Sequence, residues 1–365
     1  MLLIDIIAGA RPNFMKIAPI IRAFDARPKK DNQIRYRLVH TGQHYDARMS
    51  GAFFEQLGIP DPDINLQVGS GTHAEQTSAI MVRYEALLLS EPSKVCLVVG
   101  DVTSTMACAI AAQKLCIPVA HVEAGIRSGD WSMPEEINRM VTDSISNWFF
   151  TTSEVANQNL RDSGICEDRI FFVGNTMIDT LLTNMKRFVR PDCANELGLV
   201  PHQYFVTTLH RPSNVDSDDS FARLLQAVGE GARGLPVVFP VHPRTQKTLV
   251  QLPELPENIR LVDPQPYLEF NWLVKHAKGV ITDSGGITEE TTVMGVPCLT
   301  LRDSTERPET VSIGTNELVG IDPAALQPAL DRLFAGEWKV GGIPPLWDGK
   351  AGERIVAHLE ELLCA

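Results

Sequence analysis

Three carboxylic acids stand where short apolar runs stop. Asp101 closes "CLVVGD", Glu123 closes "PVAHVE", and Glu135 opens a helical period after a Gly-Asp-Trp loop. Taken singly, each reads as a helix N-cap or a first-turn acid that favours the helix dipole. Glu123 fits that account least, because it precedes Ala-Gly rather than a clear helix start. Taken together, acids at adjacent strand ends suit general acid–base work, since neighbouring carboxylates push each other's pKa values apart. His210 ends a later run, "YFVTTLH", and is followed by Arg211; His242 in "PVHPR" has the same placement. A lone strand-end His is more often structural, but the pair "HR" points to the same edge as the acids. No His or Cys stands at metal-ligand spacing, so no catalytic metal is expected.

Two turns suit an anion. "GARPNFMK" puts Arg11 and Lys16 at a strand-to-helix turn, where backbone N–H groups already favour negative charge. "TDSGGITEE" offers the same device later, with Ser284, Gly285 and Gly286 for a phosphate. Glu290 follows about a turn on, where a carboxylate can accept from the vicinal hydroxyls of a ribose. A single Gly-Gly before a helix is more often a plain tight turn; two such sites point to a diphosphate. Arg307 in "LRDSTERPE" reads either as an anion contact or as a loop salt bridge. There is no P-loop pattern and no G-x-S-x-G elbow. "GSGTHA" matches G-x-G-x-x-A in letters only. It follows a Pro-rich loop rather than opening the first βα unit, so NAD is not expected and no cofactor is called for.

The elements that position these groups alternate. "LLIDIIAGARPNFMKIAPIIRAF" runs strand, loop, then apolar residues at helical spacing, and the pattern recurs through "IFFVGNTMIDTLL". A second series starts near 203 with "YFVTTLHRPS" and continues to "PCLTL". Strands alternating with helices predict α/β architecture: two doubly wound Rossmann-like domains facing a central cleft. The domains are placed at 1–180 and 181–352, the break falling among Pro191, Asp192 and Pro201. A last helix, 353–365, follows a Pro/Gly stretch and packs back on one of them. In open parallel sheets ligands bind at the carboxyl ends of strands, where every charged cluster here falls.

Bulk properties narrow the partners. The chain has 365 residues, enough for two domains, with 44% apolar and 21% charged residues. Its net charge of −12 argues against nucleic acid, which wants a basic footprint. Seven scattered Cys without Cys-x-x-Cys read as reduced thiols. The apolar start lacks a basic segment and a cleavage site and is too short to span a bilayer, so a cytoplasmic protein with no membrane partner is expected.

Taken in order, "GARPNFMKIAP", "HTGQH", "GDVTST", "HVEAGIRSGDWSMPEEINR", "VGNTMIDTL", "LHRPSN", "DPQPYLEF", "TDSGGITEE" and "RDSTERPE" resemble the non-hydrolysing UDP-N-acetylglucosamine 2-epimerases across residues 8 to about 320. The resemblance implies a GT-B-like fold, with the last helix returning to the N-terminal domain and UDP bound mainly by the second. By motif position it implies Asp101, Glu123, Glu135 and His210 as catalytic residues. Arg11 and Lys16 would lie near the diphosphate and sugar, Gln265 and Phe270 would flank the uracil, and Ser284, Gly285 and Gly286 would hold phosphate. Glu290 would take the ribose, and Arg307 would complete the nucleotide site. The implied reaction is reversible inversion at C2 of a UDP-N-acetylhexosamine, giving UDP-N-acetylmannosamine. Anti elimination of UDP leaves a 2-acetamidoglucal, and UDP then adds back. Such an enzyme is an isomerase supplying envelope polysaccharide, and the family suggests a homodimer. Arg127, Asp130, Glu136 and Arg139 are expected to hold the loop.

The family pattern breaks in one place. Members activated by a second UDP-sugar carry "QHR" followed by an acid or Gln, whereas this chain has "QHYDARMS", although Gln43, Glu136 and His242 match. That departure keeps a UDP-2,3-diacetamido uronic acid open as substrate. A hydrolysing epimerase releasing UDP and N-acetylmannosamine, a GT-B glycosyltransferase and a non-catalytic nucleotide-sugar sensor are the other readings.

Overall fold

The computed structural model describes residues 2–27, 33–42, 54, 56–211, 214, 218–241, 243–249, 252 and 254–364. They fall into two compact units, one of residues 1–183 with 345–365, the other of residues 184–344. The first holds a seven-stranded parallel sheet: β1 (Leu2–Ala8), β2 (Ile34–His40), β3 (Ile64–Asn65), β4 (Val95–Val99), β5 (Val119–Val122), β6 (Trp148–Thr151) and β7 (Ile170–Phe172). Their spatial order is β3-β2-β1-β4-β5-β6-β7. The second unit has a six-stranded parallel sheet of β8 (Phe205–Thr208), β9 (Val237–Pro240), β10 (Ile259–Val262), β11 (Gly279–Thr282), β12 (Cys298–Thr300) and β13 (Asn316–Leu318), in the order β10-β9-β8-β11-β12-β13. Each order reverses once, between β1 and β4 and between β8 and β11. Those reversals are where a doubly wound sheet opens a ligand crevice.

The strands read as they do because helices cover both faces. β4 is "VCLVV" and wholly buried, the continuous apolar run expected of a central parallel strand rather than an alternating one. β1 hides an exception. Asp5 is fully buried, held by Arg37 Nε at 2.7 Å and Nη2 at 2.9 Å and by Tyr84 Oη at 3.0 Å. Removing one partner of a buried ion pair strands the other charge. Arg37→Ala is therefore expected to cost about 3–5 kcal/mol of stability, read as a lower urea midpoint.

The helix Arg11–Asp25 carries Pro19 in its interior, which removes the N–H that would reach the Met15 carbonyl. Thr180 Oγ1 donates to that carbonyl instead, at 2.6 Å, and so fastens the helix Thr176–Asn184 to it. One residue earlier Asp179 Oδ2 accepts from Gly352 N at 2.8 Å, at the start of the final helix Ala351–Cys364. That helix packs on Arg11–Asp25 within the first unit. Residues 345–352, read from the sequence as part of the second domain, also lie in the first unit: Trp347 is buried there and its Nε1 donates to Thr152 O at 3.0 Å.

Candidate active site

The first unit gathers its chemistry at the β1/β4 reversal and the adjoining end of β5. Asn13, in the helix after β1, accepts from Gly9 N and Ala10 N, both at 3.0 Å, and donates to Val99 O at 3.0 Å. One side chain thus ties the exit of β1 to the end of β4. From the same helix Lys16 crosses the reversal, and its ammonium meets Glu123 Oε2 at 2.7 Å with both groups buried. Gly100 makes room for it. A Cβ there would lie 2.6 Å from Lys16 Nζ, and φ of +66° is itself glycine territory.

Glu123 is a greater oddity. Its φ is +67°, in the left-handed region that a side chain ordinarily avoids. The backbone is held there because Glu123 N and Ala124 N both donate to Phe150 O, at 2.9 and 3.2 Å. Strain of this kind, about 1–3 kcal/mol, concentrates at functional sites.

Asp101 follows Gly100 and is partly exposed; Arg139 Nη2 binds its carboxylate, and Asn138 Nδ2 donates to its carbonyl at 2.8 Å. Both partners come from the helix Pro134–Ile145, which also carries Glu135 in its first turn. The half-buried Glu135 carboxylate has no hydrogen bond or ion pair among the described residues. Its neighbour Glu136 is fully engaged. It accepts from Ser128 N, Ser128 Oγ and Gly129 N, each at 3.0 Å, and pairs with Arg139 Nη1 at 2.8 Å. Burial works to raise its pKa, but those N–H donors and the guanidinium outweigh burial and hold it below the usual carboxylate range. Arg127 joins Asp143 Oδ2 at 2.6 Å, and Asp130 accepts from Ser132 N and Oγ. Glu136 and Arg127 thus join the loop to the helix, Asp130 closes a turn within the loop, and Arg139 ties the helix to Asp101.

In the second unit, buried Asp283 organises the β8/β11 reversal. It accepts from His210 N at 3.0 Å, Arg211 N at 2.9 Å and Asn214 Nδ2 at 3.1 Å. His210 Nδ1 lies 2.8 Å from its other oxygen while the ring stays 53% exposed. Burial raises the Asp283 pKa, and His210 with these N–H groups more than reverses the effect. Ser284 is the N-cap of the helix Gly285–Met294, yet its hydroxyl does not cap it. The site an anion would take on this helix faces the chain's own Glu306: a Cβ on Gly285 would lie 2.7 Å from Glu306 Oε1. Arg302 binds that carboxylate, and Arg211 stands 3.9 Å away. Arg307 is buried, and its Nε pairs with Glu289 Oε1 at 2.8 Å.

Glu290 lies one residue further along the same helix, buried, with Tyr267 Oη donating at 2.9 Å and Asn271 Nδ2 at 3.5 Å. Burial lifts its pKa to about 7 against those hydrogen bonds. Because the folded value is the higher one, this group stabilises the fold fully below its ordinary 4.5, and the contribution is lost as pH rises through about 7. Glu290→Gln is expected to flatten that part of the fall in melting temperature between roughly pH 5 and 8. Gln265, half-buried, donates to Asp263 O at 2.7 Å and lines a cavity of about 940 Å³ with Pro264, Pro266, Glu196 and Glu269. Phe270 packs against the core beneath.

Each unit therefore brings its sequence-predicted residues to one sheet edge, the acids with Lys16 in the first and His210 with the Ser284 turn in the second. The side chain of Arg11, and all of Gln43 and His242, lie outside the described residues. Sequence reasoning missed Asp283, Arg302, Tyr267, His121 and Asp143. Asp283 had a signal, since it directly follows β11 within "TDSGG". Among the described residues no three His, Cys, Asp or Glu side chains are placed to hold a metal ion, and no helix is long and apolar enough to cross a membrane.

A family model described as UDP-N-acetylglucosamine 2-epimerase matches residues 26–360. A Methanocaldococcus jannaschii protein named UDP-N-acetylglucosamine 2-epimerase is 42% identical over 368 residues, 98% of each chain. A Pseudomonas aeruginosa protein named UDP-2,3-diacetamido-2,3-dideoxy-D-glucuronate 2-epimerase is 41% identical over 364 residues, 98% of this chain and 99% of that one. The crystal structure of the Methanocaldococcus jannaschii UDP-GlcNAc 2-epimerase in complex with UDP-GlcNAc and UDP superposes with a TM-score of 0.88 at 41% identity, covering 99% of this chain and 100% of the other.

Proposed function

The chain belongs to the UDP-N-acetylglucosamine 2-epimerase family, and from that premise we propose that it inverts C2 of UDP-N-acetylglucosamine reversibly without hydrolysing it. One observation carries the reading. The first unit sets Asp101, Glu123 and Glu135 around a single sheet reversal, with Lys16 already paired to Glu123. A C2 hydrogen is too weakly acidic for simple abstraction, so the C1–O bond breaks as the C2 proton leaves. The electron pair of the C–H bond becomes the C1–C2 double bond, and UDP departs with the C1–O pair. Re-addition returns UDP to C1 while a proton reaches the opposite C2 face. This needs a base, an acid on the other face and a clamp for the leaving diphosphate. The three acids serve the sugar. Ser284, Gly285, Gly286, Arg11 and Arg307 serve the diphosphate, Glu290 the ribose, Gln265 and Phe270 the uracil, and His210 the reacting end. No metal or NAD enters the scheme. We place the enzyme in the cytoplasm as a homodimer; the exposed Val82, Leu89, Ile137 and Met140 on helices of the first unit support an apolar contact face.

Proton NMR of the chain with UDP-N-acetylglucosamine in D2O tests the scheme. The expected result is the manno epimer with deuterium at C2. Release of UDP and free N-acetylmannosamine would assign the hydrolysing reaction instead. A second substrate has its own support: the 41% identity to the diacetamido-glucuronate epimerase matches that to the N-acetylglucosamine relatives. Turnover of that uronic acid alone would decide for it.

A further inference from the structure

His121 lies in β5, two residues before Glu123, and is wholly buried. The scheme above gives it no task. Its Nε2 stands 2.8 Å from Gly100 O, the carbonyl just before Asp101. A carbonyl oxygen only accepts, so Nε2 donates. Its Nδ1 stands 2.7 Å from Asp143 Oδ1, on the helix that carries Glu135. The other Asp143 oxygen already takes Arg127 Nη1 at 2.6 Å and Gly125 N at 3.0 Å. A carboxylate receiving those donors is an acceptor towards the ring as well. Asp143 is the charged group in contact with the ring and Arg127 pairs with it; Lys16 lies beside Gly100, paired to Glu123, and Asp101 turns to Arg139.

We infer that His121 is a positioning residue that donates from both ring nitrogens and so fixes the Asp101 turn, the Glu123 strand end and the Glu135 helix to one another. Three separate elements each bring one acid, and the ring with Asp143 touches all three. Gly100 O is one residue from Asp101, His121 is two from Glu123, and Asp143 sits two turns beyond Glu135 on the same helix. Gly125 N, on Asp143, fixes the chain just past Glu123. His121 touches no substrate in this account. It acts through the backbone on which the acids stand.

The turnover part of the test rests on the proposed epimerisation; the spectroscopic part does not. His121→Gln and Asp143→Asn are each expected to lower kcat about 10²-fold, the scale on which small misplacements of reacting groups act. KM and UDP affinity should hold, and the double variant should be no slower than either single one, because the pair works as a unit. Long-range ¹H–¹⁵N spectra of the histidine-labelled full chain should show a hydrogen on both His121 ring nitrogens, assigned by loss of the signals in His121→Gln. Asp143→Asn should remove the one on Nδ1. A bare ring nitrogen in the unmutated chain overturns the inference, as do folded variants that turn over at the normal rate. If the unmutated chain shows the doubly bonded ring but epimerises nothing, the functional reading falls and the ring geometry stands.

Discussion

Glu123→Gln is expected to slow C2 inversion by about 10²–10⁴-fold, the range a positioned acid or base contributes. The substitution keeps the shape of the side chain and the left-handed backbone, which the Phe150 carbonyl holds independently. What it removes is the negative charge that faces Lys16. Both proton transfer at C2 and the counter-charge of a buried ammonium are lost together. Unpairing such an ion costs about 3–5 kcal/mol, so the variant should also melt earlier. UDP affinity should change little, because the proposed nucleotide contacts lie mostly in the second unit. Rates are read by deuterium incorporation and affinity by calorimetric titration of UDP. Turnover within tenfold of the normal rate would remove Glu123 from the chemistry.

Asp283→Ala should have the largest effect on the nucleotide. Its carboxylate is the shared acceptor for His210 N, Arg211 N and Asn214 Nδ2, and the ring of His210 leans on it too. Without it His210 N and Arg211 N lose this shared acceptor, Asn214 Nδ2 is left with Leu301 O at 3.3 Å, and the turns after β8 and β11 lose their common anchor. Losing a charged hydrogen-bond partner costs about 1.5–3 kcal/mol, so UDP should bind about 10²-fold more weakly. The proposed proton transfers belong to the acids of the first unit, and the proposed nucleotide contacts mostly to the second. The loss should therefore appear in the dissociation constant for UDP before it appears in proton exchange at C2. An unchanged constant would leave Asp283 a role in folding only.

The fold was legible because parallel sheets leave a plain trace. Buried strands such as "VCLVV" are solid apolar runs, and β4, β5 and β11 are each followed within two residues by an acid. The acids were legible for the same reason, since a charge at a strand end has only the sheet edge to occupy. Their partners were not. Asp283 and His210 are 73 positions apart, and Lys16 and Glu123 are 107 apart. No local pattern records such pairings. The left-handed φ of Glu123 was hidden as well, because the sequence places a Glu where that backbone ordinarily selects Gly. Lys16 was read as lying near the diphosphate and sugar; its pairing with Glu123 was not legible. Glu290 was legible as a carboxylate. Its pKa of about 7 follows from burial, against the hydrogen bonds of Tyr267 and Asn271, and only the packed helices create that burial.

The final helix, seated on Arg11–Asp25 and held at its first turn by Asp179, makes the first unit a body sewn from both ends of the chain. Synthesis runs in one direction, at about 5–20 residues each second. The whole second unit thus leaves the ribosome while the first still waits for its closing helix. Through that interval the part of Arg11–Asp25 around Pro19, on which the final helix sits, has no cover. The second unit is therefore complete before the first, which stays open to chaperones along Arg11–Asp25 until the final helix arrives.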